Sequence, residues 1–371
     1  MEFSVNRADI LKELELADSV VERKQTIPIL SNVLMEAEGS NIRLSATDLD
    51  LAVRSSCAAK IKKEGASTVP GRRLLEIIRS LPEAEVKIKL LENHWIQVTC
   101  ERSSFKLVGM AKDNFPSLPD VPKKIAAFPA QALATMIART GFAISNEESR
   151  YTLNGALLLL KPEKVMMVAT DGHRLAHIER EVQIEGLSNE LRVLVPKKAM
   201  EKLPRLLAQA ADDGIVEFTK DDNHLFFSLG ERMLISRILT GQFPNYEAVL
   251  PRGNERLVGL EKSSIANAIR RVSLLADERS RAIRIQVDKG KLEIFSSSGD
   301  LGEAHEAMDA EYDGEAMEIG FNYQYLLDFL NVVGDSAKVR LELKDEQSAG
   351  QLRPAEDGTY QYRYVVMPMR V

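Results

Sequence analysis

Apolar residues return at helical spacing near the start of the chain. In MEFSVNRADILKELELADSVV, a short strand precedes a helix whose Ile10, Leu11, Leu14, Ala17, Val20 and Val21 share one face. AAFPAQALATMIARTGFAI and LVGLEKSSIANAIRRVSLLA follow the same plan. A second pattern, strand then amphipathic helix, occurs in STVPGRRLLEIIRSLP (67–82), VLVPKKAMEKLPRLL (193–207) and EIGFNYQYLLDFLNVV (318–333). Between these runs, stretches such as EVKIKLLENHWIQVTC and KVRLELKD alternate apolar and polar residues, the period of half-buried strands.

The punctuation repeats as well. Thr47-Asp48 in LSATDLDLAV matches Thr170-Asp171 in MVATDGHRLAHI, with a weaker third copy in IFSSSGDLGEA. Pro116, Pro244 and Pro368 stand at one common point of NFPSLPDV, QFPNYEAVLP and VVMPMRV. The chain therefore reads as three copies of a unit of roughly 120 residues, an ordinary domain size. The expected domains are 1–122, 123–251 and 252–371, divided where prolines and charges interrupt the pattern. Each holds two helices on an antiparallel sheet, which places the fold in the α+β class. Pro204 falls inside the helical run 196–208 and predicts a distortion there.

Composition narrows the function. With 371 residues, 44% hydrophobic and 28% charged, the chain can bury more than one core. It has no apolar run long enough to span a bilayer, and its first residues lack a secretory signal. A cytoplasmic protein is expected, with Cys57 and Cys100 as reduced, packed thiols. The histidines at 94, 173, 177, 224 and 305 show no zinc spacing, so neither metal nor cofactor is expected. The net charge of −6 argues against nucleic acid until its distribution is examined. Eight acids crowd residues 299–318 without one Lys or Arg. Cations fall instead on helices of all three copies: Arg72, Arg73 and Arg79; Lys197, Lys198, Lys202 and Arg205; Arg270 and Arg271. Gathered on one surface, they would neutralise phosphates without reading bases.

ATDGHRLA (169–176) is the one stretch that resembles a catalytic centre. A hydrolase would use His173 as a base oriented by Asp171. No nucleophile elbow or Walker loop accompanies it, and the copy at 47–48 continues with Leu49-Asp50. Asp171 is therefore expected to cap backbone N–H groups in a turn, leaving Gly-His-Arg as an addition of the middle repeat. A sequence-specific DNA-binding regulator is a third reading, but no groove-reading motif supports it. Met367 and Met369, near the chain's last residue, suit an adaptable surface for several partner peptides.

TIPILSNVL (26–34), RYTLNG (150–155), ATDGHRLA, FPNYEAVLP (243–251), MEIGFN (317–322) and YVVMPMR (364–370) together resemble the β sliding clamps of bacterial DNA polymerase III, over the whole chain. The resemblance implies a non-catalytic processivity factor. Its three DNA-clamp domains would form a head-to-tail homodimer, a ring around double-stranded DNA that is indifferent to sequence. Partners would be the replicative DNA polymerase, the clamp loader, and other polymerases and repair proteins carrying short linear peptides. The implied peptide cleft comprises Leu153, Thr170, Gly172, His173, Arg174, Leu175, Pro244, Val249, Asn322, Tyr325, Val366, Met367, Pro368, Met369 and Arg370. His173 and Arg174 would offer it polar edges. DNA contacts fall to Lys24, Arg72, Tyr151, Lys197 and Lys198. Phe105 and Leu107 are expected to meet Leu274 and Leu275 at the dimer interface, with Asp300, Glu303 and Glu306 facing Arg73, Arg102 and Lys106. The chain departs from some relatives at Ala248, Ser280, Glu147, Thr152 and Val371.

Overall fold

The computed structural model describes residues 1–21, 27–334, 336–356 and 358–370. Six α-helices occur among them: α1 (Arg7–Asp18), α2 (Gly71–Ser80), α3 (Ala130–Thr140), α4 (Lys197–Leu207), α5 (Lys262–Val272) and α6 (Tyr323–Val332). Each repeat thus has two, as the periodicity predicts. Asn6 caps α1 by accepting a hydrogen bond from the Ala8 N–H at 2.9 Å, and Asn322 caps α6 through the Gln324 N–H at 2.9 Å. Pro204 does not divide α4, which runs unbroken to Leu207 with Leu203 and Leu206 fully buried.

The chain forms two compact units. The first comprises residues 1–134, 185–187 and 198–238. It contains an eight-stranded antiparallel sheet in the order 126–129, 215–220, 224–229, 232–237, 51–58, 41–47, 32–38, 65–70. The central pairing joins Arg232–Arg237 of the second repeat to Leu51–Ala58 of the first, with Met233 opposite Arg54 and Ser236 opposite Leu51. A five-stranded sheet has the order 60–63, 2–6, 85–90, 95–100, 103–108. Phe3, Ile10, Leu14, Leu44, Ile78, Ile88 and Ile96 belong to one buried cluster. Each such side chain stabilises the fold by about 1.5–3 kcal/mol. Glu13 of α1 is buried, and Arg232 donates hydrogen bonds to its carboxylate from Nε and Nη2.

The second unit comprises residues 135–184, 188–197 and 239–371. Its eight-stranded antiparallel sheet runs 191–196, 155–161, 164–170, 174–181, 361–366, 350–354, 338–343, 256–261. The junction again lies mid-sheet, where Arg174–Glu181 of the second repeat pairs with Gln361–Val366 of the third. A four-stranded sheet has the order 302–309, 291–298, 282–288, 317–322. Phe329 stacks on Tyr362 and Tyr364, with ring centroids 5.3 and 5.4 Å away.

These orders are copies of one another. Strands 51–58, 174–181 and 302–309 hold the same place in successive repeats, as do 103–108, 232–237 and 361–366.

Candidate functional site

The Thr-Asp turns show what the repeated dipeptide does. At 170–174 the Asp171 Oδ1 accepts from the His173 and Arg174 N–H groups at 2.9 and 3.1 Å. The Thr170 hydroxyl donates to the Arg174 carbonyl at 2.6 Å and accepts from the Gly172 N–H at 3.1 Å. At 47–51 Asp48 accepts from Asp50 and Leu51 at 3.0 and 2.7 Å, while Thr47 donates to the Leu51 carbonyl and accepts from the Leu49 N–H. Both aspartates cap a hairpin turn, as the repeat predicts. Gly172 has φ 91°, and a Cβ there would lie 2.9 Å from Arg150 Nη1, which donates to the Asp171 carbonyl at 2.7 Å.

Asp171 is committed twice over. Its Oδ1 holds the turn and its Oδ2 accepts from Arg174 Nε at 3.0 Å, so it does not orient the His173 ring. His173 is exposed at the tip of the turn. Burial pushes the Cys57 thiol up to about 12, which leaves it un-ionised near neutrality. No metal-binding group of His, Cys, Asp or Glu occurs among the described residues. The arrangement offers recognition surfaces and no catalytic constellation.

Arg174 is tied into the fold as well as placed beside the expected cleft residues. The guanidinium, 10% exposed, donates to Asp171, to Asp328 Oδ2 at 2.5 Å and to the Phe142 carbonyl at 2.7 Å. It also lies 4.3 Å from the Tyr325 ring centroid. It is an internal tie that holds the turn against α6, with Nε, Nη1 and Nη2 each donating to a partner within the fold. Asp328, which completes this tie, was not among the residues singled out from sequence. Its signal was visible: it is the lone charged residue in the run YQYLLDFLNVV.

The other residues expected in the cleft are placed as follows. The Met367 N–H donates to the His173 carbonyl at 2.9 Å, and the Met369 N–H to the Gly320 carbonyl at 2.9 Å, two residues before Asn322. Leu175 and Val366 are buried at the junction of the strands, while Met367 is 40% exposed. Tyr246 joins Leu157, Leu159, Met166, Leu175 and Val365 in an apolar cluster, flanked in sequence by the exposed Pro244 and Val249. Leu153 lies half-buried in the short turn Tyr151–Leu153, close in sequence to Arg150. Pro368 is half-buried, and Arg370 is exposed.

Of the expected DNA contacts, Arg72 and Lys198 line one open groove with Arg73, Arg79, Lys202 and Arg205, of about 700 Å³. Lys198 also pairs at 2.6 Å with Asp48, whose carboxylate is 1% exposed, so part of its charge neutralises a buried acid. Lys197 contacts the Asn146 side chain, and Tyr151 is exposed. Lys24 and Val371 lie outside the described residues. Leu274 is 76% exposed, Phe105, Leu107 and Leu275 are half-buried, and Asp300 and Glu303 are exposed. Glu306 already holds Arg271, and Arg73 holds Glu76.

Models of the DNA polymerase III beta subunit match three successive stretches: its N-terminal domain at residues 1–119, its central domain at 127–245 and its C-terminal domain at 247–370. The chain belongs to the beta sliding clamps. The beta sliding clamp of Pseudomonas aeruginosa is 38% identical over 373 residues and that of Caulobacter vibrioides 36% over 381, each alignment spanning all of both chains. Among solved structures, the P. aeruginosa DNA polymerase III subunit beta superposes with a TM-score of 0.93 at 36% identity, covering all of both chains. A P. aeruginosa sliding clamp bound to griselimycin gives 0.94 at 37%, again over both whole chains. As a beta sliding clamp the chain is a non-catalytic processivity factor built of three clamp domains.

Proposed function

We propose that two copies of this clamp join head to tail, the first repeat of one against the third of the other, and close a ring around duplex DNA of any sequence. Strand equivalence carries this reading. Leu51–Ala58 pairs with Arg232–Arg237, and Arg174–Glu181 pairs with Gln361–Val366. The remaining members of the two series are Gly302–Asp309 and Ser103–Val108, each at the edge of its own smaller sheet. An intermolecular ladder between those edges makes a third junction of the same kind, and an open edge is otherwise a template for aggregation. Phe105 and Leu107 would meet Leu274 and Leu275 there. Arg73, Arg102 and Lys106 would face Asp300, Glu303 and Glu306, setting orientation more than affinity. The domains of the ring are 1–122, 123–251 and 252–371.

Lys24, Arg72, Tyr151, Lys197 and Lys198 would then meet the phosphate backbone. The cleft around Leu175, Tyr325, Val366 and Met367 would take linear peptides of the replicative polymerase, the clamp loader, other polymerases and repair proteins, in the cytoplasm at the nucleoid. The decisive experiment loads the chain on nicked circular DNA and then linearises the circle. Retention on the circle and loss from the cut ends is the expected result. Salt-resistant binding to one linear sequence would overturn the ring. Leu274→Ala with Leu275→Ala should yield monomers in sedimentation. A double variant still dimeric at low concentration would move the interface elsewhere.

A further inference from the structure

We propose that the peptide cleft continues onto the outer face of the four-stranded sheet, where it accepts an acidic side chain flanking the peptide's apolar core. This rests on the cleft reading above. Register places five residues in one row: Met369 bridges Gly320, Gly320 faces Arg284, Arg284 faces Phe295, and Phe295 faces His305. Directly opposed residues of an antiparallel sheet share a face. That face is the outer one, since Ile283, Ile285 and Val287 alternate with Arg284 and are buried. The row therefore leads from the cleft across the sheet to its edge strand. Gly320 contributes no side chain, so bare backbone lies between Met369 and Arg284.

A hollow of about 660 Å³ opens on this row, with Ser280, Arg284, Phe295, Glu303, His305 and Arg370 among its walls. The Arg284 guanidinium lies over Phe295, 4.9 Å from the ring centroid, and Phe295 stacks on His305 at 4.5 Å. Phe295 thus supports the guanidinium from one side while Arg284 remains 44% exposed. Arg370, which the family resemblance assigns to the cleft, lines the hollow too, so the two surfaces are continuous. Two nearby acids already have cationic partners, Glu293 in Lys291 and Glu318 in Arg284 at 3.6 Å. Arg370 forms no ion pair with a described residue, and Glu303 is the only acid among the walls. The hollow borders on the acid-rich segment 299–318, which supplies Glu303 to its wall and Glu318 to Arg284, so an incoming carboxylate meets Arg370 and exchanges with Glu318 for the half-exposed Arg284. A carboxylate delivered there finds a planar, oriented partner, whereas one a few residues away meets like charge.

The test uses the full chain and fluorescein-labelled peptides in fluorescence polarisation. The probes are an apolar core peptide, and the same core extended at either end by Glu or by Gln. One Glu extension should bind about three- to tenfold more tightly than its Gln counterpart, with the advantage shrinking in high salt. Arg284→Gln should erase that advantage while leaving core-peptide affinity unchanged, and Arg284→Glu should transfer it to a Lys extension. Equal binding of both Glu and Gln extensions, or an advantage that survives Arg284→Gln, overturns the extension and leaves the cleft standing. Failure of the core peptide itself to bind overturns the cleft reading and this inference with it.

Discussion

The turns at 47–51 and 170–174 have the same hydrogen bonds and opposite surroundings. Each ends a strand with Thr-Asp, and each places the next residue in the left-handed region: Leu49 at φ 80°, Gly172 at φ 91°. Leu49 carries that strain in its own backbone but has open space for its exposed side chain. Gly172 has no such freedom, with Arg150 packed against it. The charges are also placed differently. Asp48 is answered by Lys198, a long flexible cation on a helix; Asp171 is answered by Arg174, which is locked to Asp328 and Phe142 besides. The capped turn is architecture shared by two repeats. The buried guanidinium and the exposed histidine are what the middle repeat adds.

The largest effect that tests this contrast is expected at Arg174. Arg174→Ala leaves two half-buried carboxylates facing each other and should cost about 3–5 kcal/mol in chemical denaturation. Arg174→Lys should recover little, since an ammonium cannot reproduce the forked donation or the stacking on Tyr325. A loss below 1 kcal/mol would return Arg174 to the surface role expected from sequence. The acid side of the stability curve gives the next effect. Burial depresses the His177 imidazole from its ordinary 6.5 to about 4, whereas the equivalent position in the first repeat is Arg54. The unfolded chain therefore binds the extra proton first. Stability is full above about pH 6.5 and falls as the pH drops toward 4, by on the order of 3 kcal/mol. A His177→Gln variant should show a flatter dependence over that window, and an unchanged slope would assign the acid sensitivity elsewhere. A smaller difference separates the two turn residues. Gly172→Ala should destabilise by about 1–2 kcal/mol, and Leu49→Gly should be neutral or gain up to about 1 kcal/mol. Equal responses in thermal melts would mean that the turns are not under different constraint. Met367→Ala should weaken peptide binding by about 1–3 kcal/mol and leave retention on circular DNA intact.

The repeats were legible because their helices and turns are local: the period of Ile10, Leu14 and Ala17 and the recurrence of Thr-Asp need no knowledge of distant residues. The capping role of Asp171 was legible for the same reason, since a second copy lacked the adjacent histidine. The fate of Arg174 was not, because Asp328 lies 154 positions away and only the packing of α6 brings it near. The burial of Glu13 has a similar cause beyond local sequence, its partner Arg232 being 219 positions distant. The pairing of whole repeats through the middle of each eight-stranded sheet was equally hidden. Strands such as Leu51–Ala58 carry an alternation that states which face is buried, but not which neighbour completes the ladder.

That mid-sheet pairing sets a timetable for synthesis. Strand Arg174–Glu181 leaves the ribosome about 180 residues before Gln361–Val366, the strand that will cover its edge, and Leu51–Ala58 precedes Arg232–Arg237 by a similar distance. At ordinary elongation rates each edge stays unpaired for on the order of ten to forty seconds. Hairpins close within microseconds, so the neighbouring strands are in place long before the edge is met, and the half-built sheet presents a row of free N–H and C=O groups throughout. A pause in translation between those strands lengthens that exposure directly.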